Sequence, residues 1–259
     1  MTRFAFPRPP ANLVWFDEVD STNELASRIM AAWLGDEEEP LPDTVLVAAA
    51  QSGGRGRGSN AWQSPAGGLY ATWLAWMPME KLTLVPLAAG VALAEAVEVS
   101  IPHVQVGLKW PNDLLVQGRK LGGVLCQSRG RDGLAWVMVG FGINVGKDPV
   151  LPPGDPARPT SLRSLGLGGE VEESIWTVLS AFLARIHRLL DAPDAAVAAW
   201  VARSVHRPGE WMRLRLPAGV VEGRFMRLVE DGRLELDVGG EVRQFASGEL
   251  IPNTADLGG

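Results

Sequence analysis

The periodicity of this chain changes at His206-Arg207-Pro208-Gly209, and the change limits what the chain can build. Before that tetrapeptide, apolar runs that suit buried strands alternate with stretches of helical period. Beyond it, Trp211-Met212-Arg213-Leu214-Arg215-Leu216 and Arg233-Leu234-Glu235-Leu236-Asp237-Val238 alternate apolar with polar residues, the pattern of a half-buried strand. Pro217-Ala218-Gly219, Glu230-Asp231-Gly232 and Gly239-Gly240 supply turns between such runs. Short alternating strands joined by glycine turns predict a small β-barrel over 207–259, behind a larger domain over 1–206.

The larger part reads as α+β, a mixed sheet with helices. Residues 1–10, with Pro7, Pro9 and Pro10, read as a loose arm, and Leu13-Val14-Trp15-Phe16 as a strand. Ser21-Thr22-Asn23-Glu24 has the spacing of a capping box, and Leu25, Ala26, Ile29, Met30 and Trp33 behind it predict a helix. Asp36-Glu37-Glu38-Glu39-Pro40 reads as a solvated loop. Thr44 to Ala50 is a buried-strand candidate, and so is Leu69 to Trp76, stopped by Pro78. Leu84 to Val99 suits a buried helix. Strands follow at 104–110, 120–127 and 134–145, with turns at Gln117-Gly118 and Arg131-Asp132-Gly133. Residues 147–159 hold five prolines and read as a connecting loop. Helical periods return over 175–190 and 194–203.

Composition narrows the function classes. The chain has 259 residues, 46% hydrophobic and 21% charged, which describes an ordinary globular protein. Its single cysteine, Cys126, cannot form an internal disulfide and is most simply a small buried hydrophobe. No apolar run reaches the ~18 residues of a membrane span, and no secretory signal opens the chain. The expectation is a soluble, cytoplasmic protein. A net charge of −6 argues against bulk nucleic-acid affinity. The three histidines, His103, His187 and His206, lie far apart without nearby cysteines, and no H-E-x-x-H, C-x-x-C or G-x-S-x-G pattern occurs. No structural zinc site or hydrolase elbow is therefore expected, and no metal ligand is assigned. His187, inside a helical stretch, is expected to pack or face solvent.

Three segments are unusual. Gln51-Ser52-Gly53-Gly54-Arg55-Gly56-Arg57-Gly58-Ser59-Asn60 follows a buried strand directly. Its glycines let backbone approach a ligand, and its arginines offer bidentate contacts to phosphate or carboxylate. It closes with neither a Walker G-K-[ST] nor the last glycine of G-x-G-x-x-G, so it reads as an anion-binding loop or a merely flexible one. Lys109-Trp110-Pro111-Asn112-Asp113 leads to Gly118-Arg119-Lys120-Leu121-Gly122-Gly123, which fits an ordinary hairpin. Even so, Lys120 enters an apolar strand, and its charge requires pairing, by an anionic ligand for example. In Val139-Gly140-Phe141-Gly142-Ile143-Asn144-Val145 the alternating glycines allow close approach, and Asn144 needs partners. A structural and a ligand-contacting reading stand equal there.

Taken in order, these segments resemble the biotin protein ligases. Asp20-Ser21-Thr22-Asn23 is similar to the D-S-T-N entry of that family, and Gln51 with Gly54-Arg55-Gly56-Arg57 to its Q-x-x-G-R-G-R loop. Trp62-x-Ser64-Pro65 and Gly68-Leu69-Tyr70 resemble the segment that follows. Lys109-Trp110-Pro111-Asn112-Asp113, Gly118-Arg119-Lys120-Leu121-Gly122-Gly123, Gly142-Ile143-Asn144 and Thr160-Ser161-Leu162 resemble its K-W-P-N-D, R-K-x-x-G, G-I-N and T-S-L blocks. Ser247-Gly248-Glu249 resembles the close of its C-terminal barrel. One departure stands out: where the family's loop has a second Gly-Arg pair, this chain has Ser59-Asn60.

The resemblance implies a fold like the class II aminoacyl-tRNA synthetases with an SH3-like C-terminal barrel. It implies that biotin and ATP, with Mg²⁺, give biotinyl-5′-AMP, and that biotin then passes to a lysine of a biotin carboxyl carrier protein. By the same resemblance Ser21, Thr22, Asn23 and Gln51 hydrogen-bond biotin, with Arg55, Gly56, Arg57, Lys120, Gly122 and Gly123 completing its pocket. Arg55, Arg57, Trp62, Lys109, Asn112, Lys120 and Asn144 would meet ATP or the adenylate. Lys120 would bridge carboxylate and phosphate, Arg57 would order the loop, and Asp113 could serve as general base for the incoming amine, with Asn112 and Asp113 near the amine or the metal. Twelve residues ahead of the first strand leave no room for the helix-turn-helix of ligases that also repress, so no DNA binding and no membrane partner are expected. Dimerisation through the catalytic sheet is common in the family, so a homodimer is one arrangement it allows. The rivals are a lipoate ligase and a non-catalytic sensor of biotin or its adenylate.

Overall fold

Two long apolar strands set the frame. In the computed structural model, which describes residues 10, 12–33, 42–58, 60–151 and 158–251, β3 (Leu69–Pro78) pairs antiparallel with β7 (Leu134–Ile143) over its whole length. On one side β3 meets β2 (Thr44–Gln51), which runs parallel to the edge strand β1 (Asn12–Val19). On the other, β7 pairs with β6 (Arg119–Arg131), followed by β5 (Asp113–Val116) and β4 (Gly107–Lys109). The result is a seven-stranded mixed sheet in the order β1-β2-β3-β7-β6-β5-β4.

Helices cover both faces. Helix α1 (Thr22–Trp33) buries Ala26 and Met30 against Leu46, Leu74, Trp136 and Met138. On the opposite face α2 (Val85–Ser100), apolar nearly all round, lies sandwiched between the sheet and α3 (Val171–Leu190), as a helix without a polar face must. Helix α4 (Pro193–Arg203) packs its Trp200 into the same core. His187 of α3 takes the packing role expected of it, with its ring 5.2 Å from Trp73 and Nε2 3.1 Å from Asp43. No helix among the described residues is long and apolar enough to cross a membrane.

Some local expectations are revised. Only 107–109 of the expected strand 104–110 is a strand, and β5 is an additional short strand that begins at Asp113, a residue read as part of a turn. The capping box does not form as spaced: Glu24 turns to Arg55, and the first N–H of α1, that of Thr22, donates to Oε1 of Gln51 at 2.8 Å. The expected turns at 117–118 and 131–133 are present, with positive φ at Gln117, Gly118, Asp132 and Gly133, the geometry that matches strand twist in a two-residue hairpin. The loose arm at 1–10, except Pro10, the acidic loop at 36–40 and the middle of the proline loop fall outside the described residues.

Beyond His206 five antiparallel strands form a second sheet, β8 (Trp211–Leu216), β9 (Gly219–Leu228), β10 (Leu234–Val238), β11 (Glu241–Phe245) and β12 (Glu249–Ile251). Their order is β11-β10-β9-β8-β12, with β11 and β12 at its two edges. Its apolar residues Met212, Leu214, Phe225, Leu234 and Leu236 join the main core. The Gly232 turn (φ +83°) presses on α2, where an added Cβ would stand 2.8 Å from Leu87 Cδ1.

Candidate active site

The site lies over the α1 face of the main sheet, where four strands converge on the start of α1. Gln51, the last residue of β2, accepts from the Thr22 N–H at 2.8 Å and the Thr22 hydroxyl at 3.2 Å, and its Nε2 donates to Ser64 Oγ at 2.8 Å. Thr72 of β3, with no exposed surface, donates to Asn23 Oδ1 at 2.6 Å and sits 2.9 Å from Thr22 Oγ1. Asn23 Nδ2 donates to the Leu125 carbonyl of β6 at 3.2 Å. Ser21, Thr22 and Asn23 are all buried, and the polar cluster at the start of α1 is internally braced. Burying those groups without such bonds would cost about 1–3 kcal/mol each.

Glycine makes room for this cluster at two positions in β7. A Cβ on Gly140 would lie 1.8 Å from Asn23 Oδ1, and one on Gly142 would lie 2.4 Å from Trp62 Nε1. The alternation seen in the sequence is thus a pair of seats, one for Asn23 and one for Trp62. The indole N–H of Trp62 is buried with no hydrogen-bond partner among the described residues.

Lys120 stands at the start of β6, its backbone clamped by the Arg158 carbonyl (2.7 Å) and the Thr160 N–H (2.9 Å). Its Nζ is 2.7 Å from Asp113 Oδ1 and 5.4 Å from the centre of a Trp62 ring. The charge that the sequence left unpaired therefore has a carboxylate beside it and an aromatic face within cation–π range. Gly123 lies opposite Asp113 in the β5–β6 ladder, and Gly122 fits under the Gly142 carbonyl.

The glycine-rich loop is a narrow hairpin. Gln51 bridges Ser64 and Arg55 bridges Ala61, with Gly58 (φ +61°) at the tip. Gly56 donates to the Asn60 carbonyl at 2.8 Å, whereas Ser59 lies outside the described residues. Its two arginines diverge. Arg55 pairs with Glu24 of α1 at 2.9 Å. Arg57 reaches the second sheet, where Nη1 donates to the Gly248 carbonyl at 2.8 Å. Burial lowers the Arg57 pKa, opposed by the nearby carboxylates of Asp113 and Glu249.

The softer candidates are mainly braces. Asn112 Nδ2 donates to the Val124 carbonyl at 2.8 Å, which extends the β5–β6 ladder, and Asn144 Nδ2 donates to the Thr160 carbonyl at 2.9 Å. Lys109, at the end of β4, lies near His206. Behind Arg57 and Asn112 opens a cleft of about 310 Å³, with Leu87, Trp110, Cys126 and Arg233 in its walls. Burial pushes the Cys126 thiol up to about 12. Thr72, Ser64 and Gly140 carry the site without having been named for it. The signal for Thr72 was its place as the one polar side chain in the apolar run 69–76 apart from the phenol of Tyr70. No group of three or more His, Cys, Asp or Glu side chains gathers among the described residues.

The sequence pattern of the biotin/lipoate A/B protein ligase family matches residues 15–144. A biotin–[acetyl-CoA-carboxylase] ligase of Mycobacterium tuberculosis is 32% identical over 219 residues, which cover 82% of this chain and 79% of the relative. One of Paracoccus denitrificans is 29% identical over 225 residues, 84% and 90% of the two chains. Among solved structures, the biotin protein ligase of Aquifex aeolicus in complex with biotin and ATP superposes with a TM-score of 0.72 at 29% identity, over 93% of this chain and 98% of that one.

Proposed function

This chain belongs to the biotin/lipoate A/B protein ligase family, and we infer that within it the protein works as a biotin protein ligase. In the first half-reaction the biotin carboxylate attacks the α-phosphorus of ATP, the bond to the β-phosphate oxygen breaks, and pyrophosphate leaves biotinyl-5′-AMP. In the second, the ε-amine of a carrier lysine attacks the acyl carbon, AMP departs with the bonding pair, and the amine loses its proton. The carrier we propose is the biotin carboxyl carrier protein of a carboxylase, in keeping with the names of the relatives.

The observation that carries this reading is Lys120, half-buried beside Asp113 and under Trp62. Both substrates are anionic, and a fixed cation between carboxylate and phosphate offsets their repulsion and the charge that develops at phosphorus. Catalysis of this kind is positioning and electrostatics. The braced cluster of Thr22, Asn23, Gln51 and Thr72 is the place we assign to the biotin ring system, with Gly122 and Gly123 on the same floor. Trp62 and Asn144 fall to the nucleotide side. Mg²⁺ would accompany the ATP phosphates and offset their charge, with Asn112 and Asp113 the residues that would stand on its side of the site. We assign catalysis to 1–206 and a barrel-like accessory unit to 207–259, and propose that the protein acts without DNA or membrane, as a monomer or a homodimer.

ATP–pyrophosphate exchange with Mg²⁺, comparing biotin with lipoate, tests the reading. Exchange that requires biotin supports it. Exchange with lipoate alone would reassign the substrate, and biotin binding without any exchange would make the chain a sensor.

A further inference from the structure

The segment Lys109–Asp113 carries groups of the proposed site, yet it leaves β4 at Lys109 and re-enters the sheet only at Asp113. The chain entering the second sheet holds it. Ser204 forms a parallel bridge with Leu108, and the Val205 N–H donates to the Leu108 carbonyl at 3.0 Å. Farther along the same edge, the Trp110 N–H donates to Nε2 of His206 at 3.2 Å, in a fully buried bond. The indole of the same residue donates to the Gly232 carbonyl at 3.3 Å. With Nε2 accepting, the single proton of a neutral His206 ring sits on Nδ1, 3.6 Å from Oε2 of Glu210.

We infer that His206, as the neutral Nδ1–H tautomer, is a positioning residue for the ligase reaction: its Nε2 lone pair holds the Trp110 backbone and thereby sets where Asn112 and Asp113 stand beside Lys120. The inference rests on the ligase reading above. An imidazole nitrogen accepts a backbone N–H only while it is unprotonated. Protonation would set two N–H groups against each other in a buried place and release the segment. Few charges face the ring: Glu210 from its own turn favours the cation, Lys109 from β4 opposes it, and Phe225 of β9 covers it at 5.8 Å without charge. Burial dominates and holds His206 below the ordinary histidine value of 6.5. The acceptor is therefore present at neutral pH and is lost as the pH falls through the lowered value.

The test compares His206→Leu, which removes the acceptor, with His206→Gln, which keeps one that cannot be protonated in this range. In biotin-dependent pyrophosphate exchange the Leu variant is expected to lose about tenfold or more in kcat with little change in biotin KM, because the biotin cluster lies elsewhere. The Gln variant recovers most of that loss, and its rate relative to wild type rises as the pH is lowered from about 7.5 to about 5.5. The ratio cancels the ionisation of ATP, and it decides the matter alone if the Leu variant does not fold. Equal activity of two folded variants, or a ratio flat with pH, would overturn the role of His206. The ¹⁵N–¹H shift of the Trp110 amide, followed through the same pH range, reports the bond without catalysis. No exchange by the wild type would overturn the ligase reading itself, whereas an unmoved amide in an active enzyme would remove only His206.

Discussion

Nζ of Lys120 and Oδ1 of Asp113 are 2.7 Å apart, joined across the β5–β6 ladder at the point where its register shifts. The shift lets a lysine that would otherwise point along an apolar strand meet a carboxylate from the neighbouring one. Each group holds the other in a half-buried place where an isolated charge would be costly.

Removing the cation is expected to be severe. Lys120→Gln should lower biotin-dependent pyrophosphate exchange by about 10²–10³-fold with the fold intact, the scale of losing one preorganised charge contact. Loss below about threefold would place the stabilising charge elsewhere.

Asp113→Asn separates two roles. If the carboxylate takes the proton of the carrier lysine, transfer from preformed biotinyl-AMP should fall by about 10²-fold. Transfer at the wild-type rate, with only adenylate formation slowed, would leave Asp113 as the partner of Lys120 and no more.

Arg57 ties the glycine-rich hairpin to the second sheet through Gly248. Arg57→Gly should free the hairpin, let biotinyl-AMP escape, and spread biotin onto bystander lysines. A variant that still labels its carrier alone, seen by mass spectrometry of a mixed protein sample, would refute this.

Gly140 and Thr72 together hold Asn23. Gly140→Ala drives a methyl into the Asn23 amide and should raise biotin KM at least about tenfold while costing about 1–3 kcal/mol of stability. Thr72→Val keeps the shape and removes the hydroxyl, at a cost of about 1–3 kcal/mol. Thermal unfolding and a biotin titration read the two effects apart.

Asp20 gives a pH signature of its own. Arg28 grips its carboxylate with bonds of 2.6 and 2.9 Å and, together with the Ser21 N–H, holds its pKa down to about 2. A carboxyl with a lowered folded-state pKa stabilises the fold above its ordinary value of 3.8, and that stability is lost as the pH falls toward 2. The pair is solvent-exposed, so the loss should be at most about 1 kcal/mol and shrink in salt. Asp20→Asn should flatten that part of the stability curve in chemical denaturation.

What could be read from the sequence was whatever depends on local period and on residue chemistry in a short span. The runs Thr44–Ala50 and Leu69–Trp76, the turn at Gln117-Gly118 and the helix over 175–190 need only near neighbours to declare themselves, and the order of short motifs pointed to the family. The candidate site could be listed from the sequence by residue but not drawn as contacts. That Glu24 leaves its capping position for Arg55, that Arg55 and Arg57 point apart, and that Lys120 meets Asp113 depend on strand register and a bulge, which no local pattern encodes. Thr72 looked like one polar residue in an apolar strand, and His206 like part of a boundary. Only the packing of β3 under α1, and of the segment 204–206 along β4, turned them into the brace of Asn23 and the acceptor for Trp110, because a buried hydrogen bond takes its partner from wherever the chain returns in space.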